Sequence, residues 1–239
     1  MSRLEGQNAV VTGATSGIGR AVSLALAREG ARLLLVGRDR ERLEDAARTA
    51  ATGSPGIETL QSDLGIQSEV EGLAQRVEEK LGGVDILAFC AGVYSRGRID
   101  TAPLTDLDSH LQVNLRAPAR LTQDLLPSLI ARQGQVVFMN SSVGSTPEVG
   151  FYSASKHALK AFTDTLRAEV NPSGVRVLSV FPGRTATPMQ ESIFAAEGRS
   201  YDPSRLLQPE DVAEMVLAAL CLPRTAEVTD LHIRPMQKS

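Results

Sequence analysis

The sequence predicts a doubly wound α/β sandwich, one parallel seven-stranded sheet with helices on both faces, in a single domain. Three observations carry this. Short, nearly continuous apolar runs alternate with longer amphipathic ones from end to end. Strands that are apolar on both sides belong to parallel sheets covered on both faces. The chain's 239 residues suffice for one large core but not comfortably for two. No internal repeat, low-complexity tract or linker divides it, so residues 1–239 are expected to form one unit.

Strand-like runs fall at 9–11, 32–36, 57–61, 84–90, 135–140, 175–181 and, more weakly, 228–233. Helical patterns separate them at 17–29, 39–51, 67–81, 106–132, 152–171 and 209–222. Within 39–51, Leu43, Ala46, Ala47 and Ala50 recur at intervals of three or four, as one buried helical face requires. Only 184–208 lacks clear periodicity, and Pro188, Gly198 and Pro203 punctuate it. A loop that long inside a compact domain points to a functional lid.

Composition narrows the function classes. A net charge of -3 gives no global reason to bind nucleic acid or an anionic membrane, although Arg38, Arg40 and Arg42 cluster locally. Cys90 and Cys221 lie far apart, with no spacing suggestive of a zinc site or redox pair. Both read as buried thiols, so no metal is expected and a reducing, cytoplasmic setting is. Residues 1–7 enter a strand without an apolar signal region, and no run is long enough to cross a bilayer.

The first strand runs directly into Thr12-Gly13-Ala14-Thr15-Ser16-Gly17-Ile18-Gly19, and a helix follows. Glycines allow the chain to turn tightly and approach a pyrophosphate, while the helix N-terminus supplies free N–H groups and a positive dipole end. No Gly-Lys-Ser/Thr ending is present, which argues against a nucleotide triphosphatase loop. The spacing Gly-x-x-x-Gly-Ile-Gly resembles that of the short-chain dehydrogenase/reductase family, in its single-domain branch of about this length. The resemblance implies a Rossmann-like fold and dinucleotide chemistry.

The second strand ends Val36-Gly37-Arg38, where an NAD site would place a carboxylate on the ribose 2′-hydroxyl. A guanidinium suits a 2′-phosphate instead. NADP(H) is therefore the expected cofactor, with NAD(H) possible. Family members preferring NADP(H) often carry a second basic residue where Ser16 stands. Asp63-Leu64 matches the family's adenine contact, though an N-cap-like turn serves equally well as a reading of the residues alone. Ala91-Gly92 matches the end of its Asn-Asn-Ala-Gly segment; Phe89 and Cys90 replace the asparagines.

Tyr152 and Lys156 are four residues apart at the start of a long helix and hence share a face. A phenol ionises near pH 10; lowering that by about 3 units needs roughly 4 kcal/mol of differential stabilisation, which a neighbouring ammonium can supply. Upstream, the fifth strand ends Asn140-Ser141-Ser142-Val143-Gly144. Tyr-x-x-x-Lys after a strand-end serine is the family's catalytic signature. Alignment on Ser-Val matches Ser142 to the catalytic serine, with Ser141 as competitor, because the stretch to Tyr152 is shorter than in many relatives. The family places an asparagine at Asn114, where it distorts its helix and holds a water that connects the lysine to solvent. Pro182-Gly183 with Thr185 and Thr187 matches the segment lying against the nicotinamide.

The resemblance thus implies reversible hydride transfer between nicotinamide and a carbonyl or alcohol carbon, with Ser142 polarising the oxygen, Tyr152 moving the proton, Lys156 tuning Tyr152 and Asn114 supporting proton resupply. Two other readings are a silent cofactor-binding regulator and an NAD(P)-dependent isomerase or epimerase. Pocket candidates within 93–98, 143–151 and 188–201 mix Tyr94, Arg96, Glu148, Phe151, Ile193, Phe194, Arg199 and Tyr201, leaving the small-molecule carbonyl or alcohol substrate open. Relatives imply a homodimer or homotetramer.

Overall fold

The computed structural model describes residues 2–237. Seven strands, β1 (Asn8–Thr12), β2 (Arg32–Gly37), β3 (Ile57–Gln61), β4 (Ile86–Phe89), β5 (Gln135–Met139), β6 (Arg176–Pro182) and β7 (Asp230–Ile233), form one sheet in the order β3-β2-β1-β4-β5-β6-β7. Every pairing is parallel. The order reverses between β1 and β4, where Ala9 faces Leu33 on one side and Ile86 on the other. Such a reversal leaves a crevice at the carboxyl ends of the strands, and ligands bind there in open α/β sheets.

Residue parity explains why the strands read as unbroken apolar runs. In β1, Ala9 and Val11 enter one core layer and Val10 the other. The first layer lies under α1 (Gly17–Arg28), α2 (Arg40–Ala50) and α9 (Pro209–Leu220). The second lies under α4 (Leu73–Leu81), α6 (Ala117–Ala131) and α7 (Gly150–Val170). Leu33 and Leu34 are fully buried on opposite faces, each contributing roughly 2 kcal/mol relative to exposure.

Three helices differ from the sequence expectation. The run 67–81 splits into α3 (Gln67–Val70) and α4 because Gly72 adopts φ 80° between them. The run 106–132 begins earlier, as α5 (Leu104–Leu111), then passes through a π-helical turn at Gln112–Arg116 before α6. The segment 184–208 is not an irregular loop: it holds α8 (Pro188–Ala196). Thr187 caps that helix by accepting from the Gln190 N–H, and Pro188 occupies its first turn. Its apolar signal is faint because Gln190 and Phe194 are its buried residues. No described helix is long and apolar enough to cross a membrane.

Candidate active site

The switch point opens into a cleft of about 750 Å³. It runs from the β1–α1 turn, past the ends of β4 and β5, to α8, touching Gly13, Asp63, Gly92, Ser141, Tyr152 and Gln190 along the way.

At one end the chain builds a turn with no room for side chains. Gly13 has φ 67°, and a Cβ there would sit 2.6 Å from the Ala91 N atom. A Cβ on Gly19 would lie 2.3 Å from the Gly13 carbonyl oxygen. Close packing of β1, β4 and α1 therefore demands these glycines before any ligand is considered. The evidence for a ligand is different. Ser16, the N-cap of α1, is extended and makes no side-chain capping bond, and the first turn carries no acidic residue. The N–H groups of Gly17, Ile18 and Gly19 thus head a helix whose positive end faces the cleft uncapped. Thr15 packs its methyl against Gly37 across the turn.

Arg38 lies just beyond β2 on the cleft wall and is exposed. Arg40 pairs with Glu44 and Arg42 with Asp39, whereas Arg38 has no carboxylate partner among the described residues. Asp63 also lines the cleft, but its carboxylate accepts from the Gly65 N–H at 2.8 Å, so the turn role accounts for one of its oxygens. Leu64 is buried, with its carbonyl accepting from Gln112.

The reacting end gathers β4, β5, the π turn and α7. Lys156 is buried and its Nζ donates to the Met139 carbonyl at 2.8 Å, under the Tyr152 ring (5.9 Å from Nζ to centroid). Burial lowers the Lys156 pKa to about 8. Tyr152 packs edge-on against Tyr94 (5.0 Å) and His110 (5.8 Å). Burial raises its pKa, and a hydrogen bond with Ser141 opposes that rise. The Lys156 ammonium is held by a main-chain carbonyl, and burial is the largest influence on the phenol.

The two serines separate clearly. Ser141 lies beside the Tyr152 phenol, and its Oγ accepts from the Val143 N–H at 3.1 Å. Ser142 is exposed and uses its main-chain N–H on the Pro182 carbonyl at 3.2 Å. Both serines line the cleft, and Ser141 is the one beside Tyr152.

Asn114 lies mid-helix, in the π turn between α5 and α6, and is buried. Its Oδ1 accepts from the Val93 N–H (2.9 Å), and its Nδ2 donates to the Val93 carbonyl and Ser155 Oγ (both 3.1 Å). Those bonds tie the segment after β4 to α7. A Cβ on Gly92 would stand 3.4 Å from Asn114 Oδ1, so Ala91-Gly92 passes close over this group. Cys90 beside it is half-buried on the cleft wall, and desolvation pushes its thiol up to about 12.

Past β6, Pro182 and Gly183 line the cleft, and the Gly183 N–H donates to Ile233 in β7. Thr185 is buried against its own turn, and Thr187 caps α8 beside Gly17. Among the sequence's pocket candidates, Tyr94 and Ile193 line the cleft, whereas Phe194 is buried beneath α8. His110, Arg184 and Glu197 were not singled out. His110 accepts from the Ser95 N–H at 2.9 Å, and burial lowers its pKa. A lone histidine in an amphipathic pattern carries no signal of such a contact. No metal-binding group of His, Cys, Asp or Glu occurs among the described residues.

A dinucleotide-shaped cleft at the switch point of a parallel sheet, with a strand-end serine against a Tyr-x-x-x-Lys helix, defines an oxidoreductase-type α/β domain. The family model "short chain dehydrogenase" matches residues 7–198, and the chain belongs to that family. It is 37% identical over 239 residues to glycine betaine reductase ATRR of Emericella nidulans, a match covering 97% of this chain but only 19% of that protein, about a fifth of its length. It is 35% identical to the uncharacterized short-chain type dehydrogenase/reductase y4eK of Sinorhizobium fredii (95% of this chain, 90% of that one). Among solved structures, an alcohol dehydrogenase from the archaeon Thermococcus sibiricus, complexed with 5-hydroxy-NADP, superposes with a TM-score of 0.87 at 29% identity, covering 98% of each chain.

Proposed function

We propose that this chain is an NADP(H)-dependent oxidoreductase that interconverts a carbonyl and an alcohol. The observation that carries the reading is the grouping of Ser141, Tyr152 and the buried Lys156, its Nζ 5.9 Å from the Tyr152 ring centroid, in the same cleft as the uncapped α1 N-terminus. The residues fit a dinucleotide phosphate. Gly13, Thr15, Ser16, Gly17, Ile18 and Gly19 would hold the diphosphate, and the unpaired Arg38 the 2′-phosphate. Asp63 and Leu64 would face the adenine; Ala91, Gly92, Pro182, Gly183, Thr185 and Thr187 would border the nicotinamide, and Tyr152 and Lys156 its ribose. The Thermococcus sibiricus neighbour binds an NADP derivative, which supports this assignment.

When bound, the cofactor supplies or accepts the hydride. The protein manages the oxygen. Ser141 donates a hydrogen bond to the substrate carbonyl, taking the role the alignment gave Ser142. Tyr152, kept protonated by burial, gives its proton as negative charge develops on that oxygen; oxidation reverses both transfers. Ser141 and the nearby Lys156 ammonium stabilise the resulting phenolate. Asn114, with its amide spent on Val93 and Ser155, holds this arrangement in place and is a positioning residue.

NADPH oxidation against a panel of aldehydes and ketones tests the reading. Tyr152→Phe should cut turnover by about 10²–10⁴ while retaining NADPH binding; near-normal turnover in that variant refutes the role. NADPH binding without turnover of any carbonyl or alcohol would leave only a cofactor-binding function. The proposed setting is cytoplasmic and the proposed assembly a homodimer or homotetramer, which light scattering would read directly.

A further inference from the structure

Beyond Tyr94, the cleft meets a compact ion cluster. Glu197, at the C-cap of α8, takes Arg184 at 2.8 Å, Arg199 at 3.2 Å and Arg96 at 3.8 Å. Arg96 also binds Glu148, whose φ of 66° delivers its carbonyl to the Gly97 N–H and its carboxylate to the guanidinium. Three guanidinia thus meet two carboxylates, leaving one positive charge in excess. Both Glu197 oxygens are occupied by arginines. Among the buried polar atoms of the cluster, Arg184 Nη1 has no hydrogen-bond partner. Leaving such a donor unpaired is costly, and more so when it belongs to a charged group.

Of the cluster, Arg184 and Glu197 line the cleft, whereas Arg96 and Arg199 do not. The Arg184 plane is fixed, one edge on Glu197 and a face over the Phe194 ring at 4.8 Å, so little side-chain freedom is lost on binding. A cationic ligand is disfavoured by the same geometry. Phe194 is buried and already carries the Arg184 and Arg199 guanidinia, so its ring offers no further cation site. Tyr94 links the cluster to the reacting group: its ring lies 5.0 Å from that of Tyr152, and its hydroxyl lies in the field of Arg184, Glu197, Arg96 and Glu148.

We propose that the substrate is a small oxo acid, with its carbonyl at Ser141 and Tyr152 and its carboxylate, a few carbons away, on Arg184. This rests on the carbonyl–alcohol reading above and adds the substrate class.

The test uses the full chain with NADPH at neutral pH, where a carboxylic acid is ionised. It measures kcat/KM for straight-chain oxo acids of three to six carbons, their methyl esters and a trimethylammonium-bearing aldehyde. At least one acid should exceed its ester by about tenfold or more, equivalent to about 1.4 kcal/mol. Arg184→Gln should collapse that acid-to-ester ratio, mainly through KM. Arg199→Gln shares Glu197 and Phe194 but not the cleft wall, and should preserve the ratio. Esters or the cationic aldehyde turned over as well as every acid would overturn the proposal, as would equal ratio changes in the two arginine variants. If no carbonyl is turned over, the reductase reading fails separately. Succinate protection against thermal unfolding then decides: protection lost in Arg184→Gln keeps the anion site, and no protection in the wild type removes it.

Discussion

Lys156→Met isolates the energetic cost of burying the Lys156 ammonium. Burial holds the lysine at about 8 against an ordinary 10.5, and the side chain is only 6% exposed. The folded pKa lies below the unfolded one, so the unfolded chain binds more protons between those values and stability rises with pH across that window. The gap of about 2.5 units corresponds to roughly 3 kcal/mol of destabilisation fully present at pH 7 and below, of which about 2 kcal/mol is recovered by pH 9.5. The hydrogen bond to Met139 stabilises the ammonium by about 1.5–3 kcal/mol and offsets part of this cost at neutral pH. The sharp expectation is therefore the pH-dependent difference between wild type and variant. Urea denaturation at pH 7 and 9.5, at constant salt, should show the wild type gaining about 2 kcal/mol more than Lys156→Met. Other groups titrate alike in both proteins and cancel. Parallel curves would show that the ammonium is solvated in the fold, and the assignment of a desolvated Lys156 would be wrong.

Other expectations are simpler to read. Ser141→Ala should lower kcat by about 10²–10³, as removal of a donor at the reacting oxygen does, while Ser142→Ala stays within about threefold; the reverse ranking would restore the alignment's choice. Arg38→Asp should move cofactor preference from NADPH to NADH by about 10–100-fold, the value of one or two charge-assisted hydrogen bonds, in the ratio of their kcat/KM. Unchanged cofactor kinetics would sink the 2′-phosphate assignment. Gly13→Ala should destabilise the fold by about 3 kcal/mol, because a Cβ would meet the Ala91 N atom at 2.6 Å on a backbone at φ 67°. Wild-type urea stability in that variant would contradict the packing role.

Much of the molecule was legible before folding. The alternating apolar runs specified seven parallel strands and two core layers, because a strand buried on both faces needs apolar residues at every position. Gly13–Gly19, Tyr152, Lys156 and Pro182-Gly183 were legible because they depend on local spacing, and the fold brings them into one cleft. Helix α8 was missed for a physical reason: it has two buried residues, so its cap at Thr187 was a better signal than its periodicity.

Tertiary structure alone decided what depends on contacts between distant segments. Ser141 rather than Ser142 lies beside Tyr152, and no count of residues reveals which side chain turns inward. Asn114 became a buried staple because Val93, 21 residues away, presents its main chain to it. The Arg184–Glu197 cluster joins four segments that share no motif, and its unspent donor exists only in the folded chain. Sequence spacing determined which groups share an element; desolvation and the meeting of elements determined what those groups can do.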